Sequence, residues 1–513
     1  MGEDTFYITT PIYYPNDVPH IGSAYTTVAV DVIARHYRML GREVTFVTGT
    51  DEHGQKLQRA AEAEGVYPQA FVDAMEPRWR TVWSDLGITY DDYVRTTEPR
   101  HEAAVIELLN RVRDNGKDDI YLGSYEGLYC VACEAYYTEE ELNQEGNCPI
   151  HDRPVEVLQQ ENYFFRLSAY QDWLLAYHEE HPDFLRPETR RNEVLSLIRG
   201  GLQDFSISRT SFDWGIPLPW DPAHVCYVWF DALTTYLTGA GFGTDPERFA
   251  RTWPANYHVM AKDILRFHAV YWPAMLEAAG LPQPHQLFVH GYITVGGEKM
   301  SKTNATGILP KVLIDEFGVD AYRYTFLSET QFGQDPNFSH ESMSDRYQAD
   351  LANGLGNLTS RVLAMLGSNF DGAVPDRGDE RVGRKLQDAA AEATHGYIAA
   401  MQDLALATAL GSVWGLVDAA NQFLVLTEPW KVAKDETRRD ELAAILYASA
   451  ESLRVLALLI APVMPDAAAG LWGRLGQAGS VEDQRLPDAA EWGGLVPGTP
   501  TTKGDSLFPR LDA

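Results

Sequence analysis

An alternation of strand and helix patterns near the N-terminus constrains the fold of this chain more than any other feature. Residues 6–14 alternate and carry β-branched and aromatic side chains, and the apolar positions from Tyr25 to Ile33 then repeat at helical spacings of three and four. A second apolar run, 44–47, precedes a charged helical pattern over 55–64. Strands that alternate with helices build a parallel sheet covered by helices. The sequence therefore predicts an α/β fold for this part of the chain.

The alternation stops near residues 116–127 and resumes at Tyr257 with a strand, a helix over 263–279 and a further strand over 286–295. A domain inserted between the two halves of one sheet explains this interruption most simply. After about Phe338, long helical patterns replace the alternation and predict an all-α bundle. These patterns cover 345–366, 381–401, 405–427 and 438–460. We predict a Rossmann-like domain split by a connective insertion and followed by the bundle, with the segments 1–115, 116–228, 229–337 and 338–513.

The charge balance limits the partners that the chain can bind without specificity. Of 513 residues, 42 are Lys or Arg and 73 are Asp or Glu, which gives a formal net charge of −31. A nucleic-acid partner must therefore meet a local basic surface. The N-terminus lacks the features of a signal peptide, and the apolar run 455–465 is shorter than the ~20 residues of a membrane span. We expect a cytoplasmic protein that does not enter a membrane.

Three of the four cysteines cluster with a histidine. Cys130 and Cys133 are separated by two residues, and so are Cys148 and His151. Two such pairs supply three thiolates and one imidazole, which is a ligand set of tetrahedral structural zinc. The sequence predicts one structural Zn²⁺ in a knuckle within the insertion. The alternative is a pair of reduced cysteines in a turn beside an unrelated Cys/His pair.

Two short strings have the composition of a nucleotide site. His20 and Gly22 stand where the first strand pattern passes into the first helix, and a helix N-terminus offers unpaired N–H groups to a phosphate. Lys299 and Lys302 lie in a Gly-flanked loop, from which ammonium groups can stabilise a charged triphosphate. Taken alone, the first string can be a helix cap with a packing glycine. The second can be an ordinary surface loop.

Two segments, 228–236 and 262–268, are rich in aromatic residues, and an aromatic, polarizable wall would suit an unbranched thioether side chain; taken alone, segments of this kind are more often core. The apolar run 225–230 predicts a strand at the start of the first segment.

In the helical part, Asn357 and Arg361 share a helix face, where an amide and a guanidinium can contact base edges while the indole of Trp430 stacks on a base. The alternative is a solvated Asn/Arg face and a core tryptophan.

Because both nucleotide-site strings occur in this order, at opposite ends of an interrupted sheet, the sequence resembles the class I aminoacyl-tRNA synthetases. The HIGH and KMSKS motifs of that class correspond to His-Ile-Gly-Ser at 20–23 and Lys-Met-Ser-Lys-Thr at 299–303. Ser23 stands where the class usually has a second histidine, and Thr303 replaces the last serine but keeps its hydroxyl. The resemblance implies that His20, Lys299 and Lys302 are catalytic. It implies an ATP site, used with Mg²⁺, that consists of His20, Gly22, Ser23, Lys299, Ser301 and Lys302.

Within class I, nearly the whole chain, from 9–14 to 507–510, is similar to the methionyl-tRNA synthetases. This resemblance implies that Asp51 holds the α-ammonium group of methionine, where the residue alone could equally be a helix cap. It also implies that Asn357, Arg361 and Trp430 contact the CAU anticodon. The implied side-chain pocket consists of Ile12, Tyr14, Trp229, Ala232, Leu233, Tyr236, Ile264 and His268.

The resemblance implies a two-step reaction. The methionine carboxylate attacks the α-phosphorus of ATP to give methionyl-adenylate and pyrophosphate, and the methionyl group then passes to tRNA(Met), the initiator tRNA included, with release of AMP. No extension follows the predicted bundle, so we expect a monomer. Two alternatives remain: another class I synthetase, such as the cysteine, isoleucine, valine or leucine enzyme, and a non-catalytic paralogue that binds tRNA or methionine.

Overall fold

The computed structural model describes residues 4–132, 135–137, 139–150, 152–295, 298–299 and 308–511. The chain divides into two compact units. The first comprises Met1–Val30 and Glu43–Gly291, and the second comprises Asp31–Arg42 and Tyr292–Ala513.

The strands of the described residues include long strands in the first unit and short two-residue strands in both units. They are β1 Thr5–Thr9, β2 Glu43–Thr50, β3 Asp92–Arg95, β4 Ile120–Cys130, β5 Ala135–Tyr137, β6 Glu156–Phe165, β7 Leu185–Arg186, β8 Phe205–Ser206, β9 Ser208–Arg209, β10 Pro217–Leu218, β11 Asp221–Cys226, β12 Tyr257–Ala261, β13 Gln286–His290, β14 Thr294–Val295, β15 Glu298–Lys299 and β16 Asn337–Phe338.

The helices range from one-turn segments to the long helices of the second unit. They are α1 Ile21–Met39, α2 Gln55–Ala63, α3 Pro68–Asp85, α4 Pro99–Arg113, α5 Gln171–Glu180, α6 Glu188–Arg199, α7 Val228–Ala240, α8 Pro246–Thr252, α9 Trp272–Ala278, α10 Pro310–Phe317, α11 Val319–Ser328, α12 His340–Arg346, α13 Asn357–Asn369, α14 Glu380–Gln402, α15 Leu406–Thr427, α16 Pro429–Val432, α17 Arg439–Ile460 and α18 Pro465–Arg474.

A six-stranded parallel sheet organises the first unit, in the order β3-β2-β1-β12-β13-β7. Its two central strands come from distant parts of the chain, because Ile8 pairs with Tyr257 and Thr9 with His258. The predicted parallel sheet is therefore confirmed, and it is completed by strands that follow a long intervening segment. In that segment β4, β5, β6 and β8 form a separate antiparallel sheet.

Four predictions of strand and helix bounds between residues 6 and 295 require correction. The strand predicted over 6–14 ends at Thr9, and the strand predicted over 286–295 is divided into β13 and β14, which belong to different sheets. The predicted strand 225–230 ends at Cys226, and helix α7 begins at Val228. The predicted helix 263–279 consists of a 3₁₀ turn, a π-helical turn at Phe267–Tyr271 and α9. In each case the residue pattern is apolar enough for the core but does not fix the backbone type.

The second unit contains the predicted helical bundle. Helices α14, α15 and α17 lie within two residues of the predicted ranges, whereas the predicted helix 345–366 is a π-helical segment, Tyr347–Gly356, that continues into α13. Helix α17 is buried on all sides from Leu442 to Ile460. A helix that is buried around its whole circumference is a core helix in a bundle.

Two segments of this bundle, Leu406–Val432 and Glu436–Ile460, are long and apolar enough to cross a membrane. In the second segment, 100% of the apolar window is buried inside the protein, and in the first 44% is buried. Core helices of globular bundles meet the same criteria of length and composition, so these segments are weak evidence for a membrane span.

A buried ion pair on α17 anchors the C-terminal segment of the chain. Glu451 accepts hydrogen bonds from the guanidinium of Arg454 and from the three backbone N–H groups of residues 493–495. Arg454 donates in turn to the carbonyl oxygens of Ala489 and Glu491. Both side chains are almost fully buried. The pair therefore supplies hydrogen-bond partners to a segment that has little regular structure of its own.

Candidate active site

The start of α1 presents His20 in a defined orientation. The N–H of Gly22 donates to Nδ1 of His20 at 3.0 Å. The hydroxyl of Ser23 accepts from the N–H of His20 at 3.2 Å and donates to its carbonyl oxygen at 2.9 Å. Because Nδ1 accepts a hydrogen bond, the ring proton of His20 is on Nε2, where it can donate to an anionic group. The structure thus brings His20, Gly22 and Ser23 together at one helix N-terminus.

Asp51 lies directly after β2, at the carboxyl end of a parallel strand, and its side chain is buried. Its N–H donates to the carbonyl oxygen of Tyr13 at 2.9 Å. The next residue, Glu52, is fully buried and accepts hydrogen bonds from Arg95 at 2.7 Å and from the hydroxyl of Thr97 at 2.5 Å. These contacts fix the loop that carries Asp51. The loop lies at the carboxyl edge of the parallel sheet, which is where ligands bind to sheets of this type.

Four of the predicted methionine-binding residues lie on one face of α7. Trp229, Ala232, Leu233 and Tyr236 are spaced at i, i+3, i+4 and i+7, which places them in one stripe of the helix. Ala232, Leu233 and Tyr236 are buried. The half-buried indole of Trp229 stacks on the ring of Phe267, with the ring centroids 3.8 Å apart and the planes at 5°. The result is an aromatic wall between α7 and the segment that follows β12.

His268 lies in the π-helical turn and contacts this wall. Its Nδ1 lies 2.9 Å from the carbonyl oxygen of Ile264, which can only accept, so Nδ1 carries the proton. Its Nε2 lies 2.6 Å from the hydroxyl of Tyr236. Burial lowers the pKa of His268 to about 4, so the ring is neutral at pH 7 and Nε2 accepts a hydrogen bond from the phenol. The ring of Tyr236 also stacks on His258 at 4.2 Å.

Tyr14 and Ile12 occupy the chain between β1 and α1. Both are partly exposed, and the ring of Tyr14 packs against the core and lies 4.2 Å below the ammonium group of Lys56. Ile264 is also partly buried against the core of the first unit. The structure therefore places every predicted methionine-binding residue in the first unit, where Ile12 and Tyr14 follow β1, Asp51 follows β2, and Ile264 and His268 follow β12.

A buried cluster of Asp231, which belongs to α7, with two histidines was not predicted from the sequence. The two carboxylate oxygens of Asp231 lie 2.7 Å from Nδ1 of His53 and 2.6 Å from Nε2 of His101. Burial raises the pKa of Asp231, but the two histidines outweigh burial and lower it to about 2. The available signal in the sequence was a single acidic residue within the apolar run 228–233.

The predicted catalytic lysines lie in the second unit or outside the described residues. Lys299 belongs to β15, where its backbone pairs with Thr294 of β14, so this part of the predicted loop is a short ladder. Ser301 and Lys302 lie outside the described residues.

The structure brings together part of the predicted zinc ligand set. Cys130 and Cys148 are buried in one small apolar cluster, Cys130 at the end of β4 and Cys148 at a turn in which its N–H donates to the carbonyl oxygen of Arg153. Cys133 and His151 lie outside the described residues. Within the parts of the chain that are described, no group of three or more His, Cys, Asp or Glu side chains could hold a metal ion.

In the bundle, two of the three predicted anticodon-contacting residues touch. The guanidinium of Arg361 lies 5.3 Å from the ring centroid of Trp430, and 40% of Trp430 is exposed. Asn357 is exposed one helical turn before Arg361 on α13. An exposed indole beside a guanidinium is a surface on which an unstacked base can lie. Trp430 is therefore not a core tryptophan.

Comparison with known proteins identifies the family. The family model for class I tRNA synthetases (M) matches residues 6–154 and 144–363, and the model for the anticodon binding domain of methionyl tRNA ligase matches residues 374–513. The methionine–tRNA ligase of Streptomyces coelicolor is 49% identical over 530 residues, which cover 100% of this chain and 98% of that protein. The chain belongs to the class I methionyl-tRNA synthetases. The methionine–tRNA ligase of Caldanaerobacter subterraneus is 46% identical, over 99% of this chain and 79% of the relative.

Solved structures of methionyl-tRNA synthetases have the same fold. The Mycobacterium tuberculosis methionyl-tRNA synthetase in complex with methionyl-adenylate superposes with a TM-score of 0.94 at 43% identity, over 99% of this chain and 100% of that one. The apo form from the same organism superposes with a TM-score of 0.86 at 41% identity, over 99% of each chain. The predicted family is therefore confirmed.

Proposed function

We propose that this chain is a methionine–tRNA ligase that activates L-methionine with ATP and transfers the methionyl group to tRNA(Met). The observation that carries the proposal is the similarity of the whole chain to a methionyl-tRNA synthetase in complex with methionyl-adenylate. No observation favours a non-catalytic paralogue or another class I synthetase, since the full-length relatives are methionine–tRNA ligases.

For the amino-acid site, we propose that the carboxylate of Asp51 binds the α-ammonium group and that the wall on α7 binds the thioether. The neutral ring of His268 supports this assignment, because its Nδ1 and Nε2 are both engaged with Ile264 and Tyr236 and add no charge to an apolar pocket. Sulfur packs well against aromatic edges. The full set is Ile12, Tyr14, Asp51, Trp229, Ala232, Leu233, Tyr236, Ile264 and His268.

For the first chemical step, the carboxylate of methionine attacks the α-phosphorus and pyrophosphate leaves. We propose that the Nε2–H of His20 donates to a phosphate oxygen, and that Lys299 and Lys302 stabilise the negative charge that develops in the transition state. Gly22, Ser23 and Ser301 complete the ATP site. Mg²⁺ bound to ATP shares the phosphate charge.

For the tRNA, we propose that Asn357, Arg361 and Trp430 contact the CAU anticodon of tRNA(Met), both elongator and initiator. The contact between Arg361 and the exposed indole of Trp430 supports this role. The expected cytoplasmic location, the monomeric state and the four-segment organisation also remain proposals.

For the insertion, we propose that Cys130, Cys133, Cys148 and His151 bind one structural Zn²⁺. The burial of Cys130 and Cys148 in one cluster supports the proposal, since the chain brings two thiols of the four-residue set together. A structural zinc contributes folding energy to its segment.

Metal analysis of Cys130→Ser, with Cys226→Ser as a control that removes a buried thiol elsewhere, tests the proposed zinc site. We expect about one zinc per chain in the wild type and the control, and much less in Cys130→Ser. Wild-type protein that is fully stable without zinc would exclude the site.

The experiment that tests the proposed function is ATP–pyrophosphate exchange with each of the twenty amino acids, at saturating Mg²⁺. We expect exchange with methionine alone. Exchange with a different amino acid would be consistent with a class I synthetase but would refute the proposed methionine pocket. The absence of exchange with every amino acid would refute the enzymatic function.

Charging of tRNA(Met) by the wild type and by Trp430→Ala then tests the anticodon site. We expect exchange to be unchanged in that variant and charging to fall at least tenfold.

A further inference from the structure

The cluster around Asp231 joins α4 to α7 and to the loop of Asp51, both of which carry proposed methionine-binding residues. Asp231 belongs to α7, His53 to the loop that follows Asp51, and His101 to α4. The side chain of Asp231 is fully buried, as is that of His101, and His53 is 7% exposed. One carboxylate therefore fixes the spacing between α7 and two other elements by a separate short hydrogen bond to each.

The cluster occupies a different side of α7 from the pocket wall. Asp231 and Thr238 are seven residues apart and lie on one face, and both contact the ring of His101, Asp231 at Nε2 and Thr238 at Nδ1 with a distance of 2.8 Å. The wall residues Trp229 and Tyr236 are two residues before each of them, which rotates them by about 200° around the helix. Because both sets of residues belong to the same helix, a shift of α7 at the cluster also shifts the wall.

His53 links the same carboxylate to the loop of Asp51. That loop is further restrained on its other side, because Trp214 donates from Nε1 to the carbonyl oxygen of Glu52 at 2.6 Å and accepts from the N–H of Gly54 at 3.2 Å. The indole of Trp214 also packs edge-on against His53, with ring centroids 5.3 Å apart. His53 is thus held in place, and its hydrogen bond to Asp231 sets the distance between the loop and α7.

Burial of a carboxylate with two imidazoles is not needed for the stability of a core, since apolar residues of similar volume often give equal or greater stability. The contribution of this cluster is to fix the geometry of the elements that it joins. We infer that Asp231, through His53 and His101, is a positioning residue that fixes the separation between Asp51 and the wall of α7, and thereby the length of the amino-acid side chain that the site accepts. This inference rests on the proposed function, because it assumes that Asp51 and α7 bind the two ends of methionine.

The test compares methionine with ethionine, whose side chain is one methylene longer, in ATP–pyrophosphate exchange. The difference of one methylene in a well-formed pocket gives a preference of roughly 10- to 200-fold. We expect Asp231→Asn to raise the KM for methionine about tenfold, to reduce the preference for methionine over ethionine at least fivefold, and to leave the KM for ATP unchanged. Asp320→Asn, which changes another buried carboxylate far along the chain, should alter neither the KM nor the preference.

The single-histidine variants separate positioning from general stability and keep the test decisive if Asp231→Asn does not fold. His53→Gln breaks only the link to the loop, and His101→Gln only the link to α4. We expect both to reduce the preference, with the larger effect from His53→Gln because it releases the loop of Asp51. Folded variants with wild-type preference would overturn the inference, even where their melting temperatures are lower. Failure of the wild type to exchange with methionine would instead refute the proposed function, so the two failures are distinguishable.

Discussion

The hydroxyl of Tyr236 donates to Nε2 of His268 at 2.6 Å, and this bond requires the neutral form of the histidine. Tyr236 is fixed further by its own surroundings, because the hydroxyl of Tyr7 donates to its backbone carbonyl oxygen at 2.6 Å and the ring of His258 stacks on its phenol ring. The orientation of Tyr236 in the proposed methionine pocket is thus set by His268, Tyr7 and His258.

Replacement of Tyr236 by Phe should weaken methionine binding. The change leaves Nε2 of His268 buried without its donor, at a cost of about 1–3 kcal/mol, and allows the imidazole to reorient into the pocket. We expect the KM for methionine to rise about tenfold or more, with the KM for ATP unchanged, in pyrophosphate exchange kinetics. Tyr397→Phe, which removes a buried hydroxyl in α14, is the matched control and should leave both constants unchanged. Equal effects on the two substrates would contradict the assignment.

Replacement of Ser23 by Ala should slow adenylate formation. Its hydroxyl bonds both the N–H and the carbonyl oxygen of His20, so its loss frees the backbone that orients the imidazole. We expect kcat for exchange to fall about tenfold, which corresponds to the loss of one or two hydrogen bonds, with little change in the KM for methionine. Ser339→Ala removes another serine at a helix start, that of α12, where Ser339 accepts from the N–H of Ser342. It should lower stability by about 1 kcal/mol and leave kcat unchanged.

Replacement of Glu451 by Gln should destabilise the bundle strongly. The change leaves the guanidinium of Arg454 buried without its carboxylate, and removal of one partner of a buried pair costs about 3–5 kcal/mol. The pair Arg438–Glu441 has the same chemistry and the same spacing near the start of α17 but is exposed. Glu441→Gln should therefore cost less than about 1 kcal/mol. Denaturant unfolding monitored by circular dichroism measures both, and similar losses would show that burial does not determine the contribution of the pair.

Acidification below pH 6.5 should destabilise the bundle through His36. Burial lowers the pKa of His36 to about 3, and its ring packs between the rings of Tyr37 and Tyr397. Between pH 6.5 and about 3 the unfolded chain binds a proton that the folded chain does not, so this residue costs about 1.4 kcal/mol per pH unit as the pH falls.

Replacement of His36 by Leu should remove the contribution of this residue to the pH dependence of stability. We expect the fall in melting temperature between pH 7 and pH 5 to be smaller in His36→Leu than in the wild type. His395→Gln changes an exposed histidine of α14 and should follow the wild-type curve. A parallel pH dependence in wild type and His36→Leu would show that the buried ring does not contribute.

The sequence predicted those parts of the structure that local periodicity determines. Helix α14 is an example, since an apolar stripe of period 3.6 defines it within one or two residues, 380–402 against the predicted 381–401. The run 225–230 shows the limit of this approach. An apolar run of that length is compatible with strand and helix, and the change between Cys226 and Val228 depends on contacts made elsewhere in the fold.

The candidate site divides in the same way. Trp229 and Tyr236 are assigned to the site by the family resemblance, whereas the residue pattern predicts a strand at Trp229 and the structure has helix α7 there. The bond between His53 and Asp231 joins residues that are 178 positions apart, so no local pattern could indicate it. The hydrogen-bond partners of Ser23 also could not be predicted from the sequence, because its spacing to His20 is compatible with a helix cap, a phosphate contact or neither.

The central strand pair of the sheet has a consequence for synthesis of the protein. Thr9 and His258, which lie on the neighbouring strands β1 and β12, are 249 residues apart. On the ribosome, β1 therefore emerges long before its partner exists, and one edge of it stays open while the intervening chain is translated. The antiparallel sheet of β4 and β6, whose strands are close in sequence, can form during that interval. The proposed methionine site, which needs both β1 and the segment after β12, is thus assembled only after half of the polypeptide has been made.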